Sequence, residues 1–184
     1  DGEQVSDGLL VGANAYNDTY EDFVTNSLRK KKLESMLAEG PQDQTVMILD
    51  ACFSGETEFG QSLTGAQAVL AKEPDYGLGD NDIVLTAASA DGTANSLPGK
   101  TIKRPAFSYT LLGALHGWAD TDGDDRVTME EAKTYTTRAL LGLQSPTVDL
   151  GEQASADQPL VEQATADDPG ARTQIQRILQ GAED

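Results

Sequence analysis

The chain predicts an α/β fold with a mainly parallel sheet, and three features carry that expectation. Two short apolar and β-branched runs, at residues 46–50 and 83–87, are bounded by polar or small residues and read as buried strands. Longer stretches with apolar residues at helical spacing alternate with them. Strands that alternate with helices settle into layers, with the sheet packed against the helices.

Taken in order, Leu9-Leu10-Val11 is a short strand candidate, and residues 14–21 are a polar loop. Residues 25–38 read as a helix with Leu28, Leu33, Met36 and Leu37 on one face, stopped by Gly40-Pro41. The strand ending at Asp50 follows, then a loop over 54–65 and a brief apolar segment over 66–71. The turn-rich stretch 73–81 is exposed, and the strand 83–87 comes after it. A second loop covers 91–105, with Gly92, Pro98, Gly99 and Pro105 among Lys100, Lys103 and Arg104. Helices are expected over 106–115 and 129–141, a late strand near Leu160-Val161, and a terminal helix over 170–179.

At 184 residues the chain is long enough for one well-filled core. Its 31 acids against 13 bases give a formal charge of −18, which argues against nucleic acid and anionic membrane as partners. That charge fits basic substrates or metal ions, or simply a solvated surface. No apolar run approaches the roughly 20 residues needed to cross a bilayer. One cysteine makes no internal disulfide, so a reducing, cytoplasmic setting is the expectation.

That cysteine, Cys52, stands where the apolar run 46–50 gives way to a small-residue turn, the usual address for chemistry in open α/β sheets. The segment Leu49-Asp50-Ala51-Cys52-Phe53-Ser54-Gly55 resembles the catalytic-cysteine motif of metacaspases and bacterial caspase-like peptidases. Residues 83–91 resemble the next core strand of that family and the edge of its substrate pocket. Residues 107–115, followed by Gly117-Trp118-Ala119-Asp120, resemble the helix and acidic loop that follow.

The resemblance implies a three-layer αβα sandwich. Its peptidase domain would span residues 1–146, with 147–184 as an extension of the same domain. It also implies a cysteine endopeptidase with Cys52 as nucleophile. Such a thiol needs an imidazole to take its proton and later protonate the leaving amine. In caspases that histidine lies roughly 50 residues upstream of the cysteine, which falls at or just before Asp1. The resemblance therefore implies that the first strand and the His-bearing segment, with half of the oxyanion hole, belong to a complementing amino-terminal segment of the same precursor. A proteolytic cut, a deliberately shortened chain and a natural pseudo-enzyme each account for that. The one histidine present, His116, is read as a helix-end residue favoured by the helix dipole and not as the base.

By the same resemblance Asp50, two residues before the nucleophile, faces the pocket for the side chain preceding the cut bond, with Asp91 a second candidate. A carboxylate there selects a protein or peptide substrate with Arg or Lys at that position, because an acidic side chain would be buried unpaired. The plainer alternative is that Asp50 merely accepts backbone N–H bonds at a strand end. Basic specificity makes Lys72, between the two core strands, a candidate for self-processing; Arg104 and the run Arg29-Lys30-Lys31-Lys32 are others.

A second constellation runs from Asp120 to Glu131. Numbered as a 12-residue EF-hand loop, it has Asp120, Asp122 and Asp124 at positions 1, 3 and 5, Val127 at 8, Thr128 at 9 and Glu131 at 12. Calcium is the expected ion, held by Asp120, Asp122, Asp124, the Arg126 carbonyl and Glu131. Position 6 is Asp125 where the motif wants glycine, although Asp enters the left-handed region more readily than most residues. The alternative is a self-satisfied Asp turn and cap between two helices. For the whole chain, a catalytically inactive scaffold or a calcium-binding partner module is the competing reading.

Overall fold

A computed structural model of the chain describes residues 9–11, 20–51, 78–89, 92–97 and 104–164. The expected terminal helix over 170–179, the loop over 54–65 and the segment 66–71 lie outside these residues.

Strand β1 (Leu9–Val11) pairs antiparallel with β2 (Ser27–Arg29), in the register Leu10↔Leu28. A short helix α1 (Tyr20–Thr25) lies between them, where part of a polar loop was expected. Helix α2 (Lys30–Ala38) therefore begins five residues later than its periodicity predicts. Thr25, Asn26 and Ser27 are weak helix formers that bond readily to nearby backbone, so pairing with an apolar strand wins over helix propagation. Helix α2 buries no residue and opens on three lysines, the wrong charge for the positive end of its dipole. Lys30 pairs with Glu34 one turn on at 2.9 Å, which offsets only part of this.

The central sheet has the order β3-β4-β6, from β3 (Val46–Leu49), β4 (Ile83–Thr86) and β6 (Thr147–Leu150). All four residues of β4 are buried, as its unbroken apolar run requires. It pairs parallel with β3 and antiparallel with β6. Among the described strands one pair is parallel and the other ladders are antiparallel. An antiparallel edge strand on a parallel pair is an ordinary mixed sheet. Nor is β3 fully buried, since Val46 and Ile48 are 39% and 45% exposed. Among the described strands β3 pairs with β4 alone, so one edge of it is open.

Helix α3 (Ala106–Gly113) runs into a π-helical turn (Ala114–Trp118), which Gly117 ends at φ 123°. Strand β5 (Val127–Thr128) leads into α4 (Met129–Ala139), and β7 (Pro159–Val161) pairs antiparallel with β5. The core joins Ile83 and Leu85 of β4 to Phe107 and Leu111 of α3, Val127 of β5, and Met129 and Ala132 of α4. Trp118 stands edge-on to Tyr109 and tilted against Tyr135, with ring centroids 6.1 and 6.4 Å away. Among the described residues no helix is long and apolar enough to cross a membrane.

Candidate active site

The parallel pair β3–β4 brings its carboxyl end to the start of α3, and Asp50 is the first residue beyond β3. The cap position of α3 is Pro105, which offers no side-chain bond, and its first turn holds no acid of its own. The first N–H groups of a helix have no partner within it. Ala106 N–H finds the carbonyl of Asn95 at 2.9 Å. Ser108 finds Asp50: its N–H and its hydroxyl both donate to Asp50 Oδ2, at 3.0 and 2.6 Å. A carboxylate 58 residues away in sequence thus closes the helix start.

Asp50 is exposed, and its Oδ1 accepts no hydrogen bond from any described residue. The plainer of the two sequence readings, a strand-end carboxylate that accepts a backbone N–H, is met at Oδ2. Cys52 and Asp91 lie outside the described residues. His116 is exposed in the π-helical turn, eight residues past Ser108, about 12 Å further along a helical path. That separation agrees with its reading as a helix-end residue.

The chain matches no family model, no curated protein and no solved structure.

At the other end of α3 the acidic loop brings Asp120, Asp122 and Asp124 together, with one carboxylate oxygen of each within 4.8 Å of the others. Asp125 takes φ 63°, the left-handed turn for which its place in the loop otherwise calls for glycine. Each carboxylate of the three also accepts backbone N–H groups of the loop. Asp120 receives Gly123 and Asp125, Asp122 receives Asp124, and Asp124 receives Arg126, at 2.7 to 3.2 Å. Three oxygens converging at this spacing suit a hard cation such as calcium, and they also suit a self-satisfied turn.

Glu131 is not part of that cluster. Its Oε2 accepts Thr128 N–H and hydroxyl at 3.0 and 2.9 Å, while Glu131 N–H returns a bond to Thr128 Oγ1, a capping box at the start of α4. Its Oε1 accepts Thr121 N–H and hydroxyl, both at 3.1 Å. Slight burial pushes this carboxyl up, but the bonds from Thr128 and Thr121 outweigh it and hold Glu131 below its usual pKa. The Arg126 side chain reaches away to Glu162 at 3.3 Å.

A further open groove, about 360 Å³, lies by the amino ends of β3 and β4, away from Asp50. Its Asp82 is already committed to Thr45 N–H and Gly79 N–H. Ser108 is the residue that sequence reasoning passed over. The signal for it was a serine at the third position of a helix whose own cap is proline and must be supplied from elsewhere.

Proposed function

We propose that this chain is the cysteine-bearing part of a caspase-like cysteine endopeptidase that cleaves after Arg or Lys. The observation that carries the reading is the Asp50 carboxylate. It is anchored on one oxygen, exposed, at the carboxyl end of a parallel strand pair and two residues from Cys52 in sequence. A fixed negative charge in that position attracts an ammonium or guanidinium group and rejects an acid.

In this reading the Cys52 thiolate attacks the scissile carbonyl carbon and forms an acyl-enzyme. An imidazole on a segment upstream of Asp1 takes the thiol proton and delivers it to the leaving amine, and water then releases the acid. Among the described strands one edge of β3 is unpaired, and Val46 and Ile48 are exposed, which fits a pairing strand supplied by such a segment. The three-layer sandwich and self-processing at Lys72 belong to the same proposal. A lone thiol also suits a reducing compartment such as the cytosol.

Calcium at Asp120, Asp122 and Asp124 is proposed as a structural ion rather than a participant in the chemistry. The second reading, an inactive scaffold, is favoured by the hydrogen bonds that make Asp50 a helix cap whether or not a substrate binds.

The test is hydrolysis of fluorogenic peptides ending in Arg, Lys or Asp by the protein together with its amino-terminal segment, with and without calcium. Cleavage after Arg or Lys that disappears in Cys52→Ala supports the peptidase. An inert protein, or activity that survives Cys52→Ala, rejects it.

A further inference from the structure

We propose that Ser108 sets the balance between arginine and lysine at the residue before the cut bond, by occupying one of the two Asp50 oxygens. The inference rests on the peptidase reading above and adds to it a residue outside the cysteine motif. A carboxylate accepts a guanidinium best as a fork, with two parallel N–H bonds, one to each oxygen. Asp50 cannot offer that fork freely. Its Oδ2 already takes two donors from Ser108, at 3.0 and 2.6 Å, which fills the lone pairs of that atom.

Only Oδ1 is left open by the described residues. An ammonium group needs a single oxygen and loses nothing by this arrangement. A guanidinium binds end-on and forfeits the second bond, so arginine loses its usual geometric advantage over lysine. The shorter of the two bonds comes from the Ser108 hydroxyl, so this hydroxyl can be removed while the backbone N–H keeps the helix start joined to Asp50.

The experiment compares kcat/KM for two peptides that differ only in Arg or Lys before the scissile bond. The enzymes are the wild type, Ser108→Ala and Ser108→Thr, each with the amino-terminal segment present. The wild type is expected to cleave the pair at rates within a few-fold of each other. Ser108→Ala frees a lone pair on Oδ2 and raises the Arg-to-Lys ratio about five- to tenfold, the worth of one charge-assisted hydrogen bond. Ser108→Thr keeps the hydroxyl and the wild-type ratio.

A Ser108→Ala enzyme that slows on both peptides alike, with the ratio unchanged or lowered, overturns the inference and leaves Ser108 a helix-capping residue. Absence of basic cleavage in the wild type, or its survival in Cys52→Ala, instead removes the peptidase reading and this inference with it.

Discussion

Replacing Gly113 with alanine tests how tightly the end of α3 is locked against Trp118. Gly113 has ordinary helical geometry (φ −62°, ψ −43°), so alanine meets no backbone strain there. In an exposed helix the change would stabilise by about 1 kcal/mol. Here a Cβ would stand 1.9 Å from Trp118 Cε3 and Cζ3 and 2.7 Å from Cδ2. Carbon atoms need about 3.5 Å, so the indole must move by more than 1 Å. It is held edge-on to Tyr109 and tilted against Tyr135, and each such pair contributes about 0.5–1.5 kcal/mol beyond its buried area. Losing both, with some strain retained, outweighs the helix gain and leaves a net destabilisation of about 1–3 kcal/mol. Trp118 is the only tryptophan of the chain, so urea unfolding followed by its fluorescence reads the stability and the displaced ring together. In a Trp118→Ala background, followed by far-UV circular dichroism because the fluorophore is gone, the obstacle is absent and Gly113→Ala should then stabilise. A Gly113→Ala protein as stable as wild type with unchanged emission would refute the argument, as would the same sign of effect in both backgrounds.

Thr136 is buried to 1% exposure and its hydroxyl has no hydrogen-bond partner among the described residues, so Thr136→Val should raise the urea midpoint, by about 1 kcal/mol of stability; a lower midpoint contradicts this. The folded-state pKa of Glu131 is lowered, so its contribution is complete above the usual value of 4.5 and is lost as pH falls through the lowered value. Metal-free Glu131→Gln, which keeps the capping geometry, should therefore lose less stability than wild type across that acidic interval, measured by urea unfolding at a series of pH values. An equal loss in both proteins assigns the acid sensitivity to other carboxylates. Calcium at about 100 times its dissociation constant should stabilise the protein by about 2.7 kcal/mol, seen as a rise in Tm that Asp122→Asn abolishes; a wild-type Tm indifferent to calcium leaves the acidic loop a self-capped turn.

What the sequence revealed and what it hid follow from how local each signal is. The strands at Val46–Leu49 and Ile83–Thr86, and the helices from Ala106 and Met129, were legible because each carries its own apolar period. The left-handed Asp125 was legible from the loop pattern alone. Strand β6 was hidden, because Thr147-Val148-Asp149-Leu150 is short and half polar and is a strand only through its ladder to β4. Strand β2 was hidden for the same reason, its leucine having been counted into a helix face. At the candidate site, Asp50 was legible from its neighbours in the chain, whereas its bond to Ser108 joins residues too distant for any local pattern to connect. Glu131 fits the twelfth position of a cation loop and the third position of a capping box equally well, and only its hydrogen bonds tell which it serves here.

The position of β4 between β3 and β6 bears on what a break in the chain would do. The segment 9–51 is fastened to the rest through the β3–β4 ladder, through Asp82 to Thr45 N–H, through the reciprocal amides of Gln44 and Gln158, and through Asp50 to Ser108. None of these bonds passes along the peptide between residues 51 and 78. A chain severed at Lys72 would be a two-piece molecule whose halves are gripped by the same strands and side chains as before. Its dissociation would cost the central strand one of its two neighbours. Among the described residues, the sheet and these side chains hold the two stretches together whether or not that interval is intact.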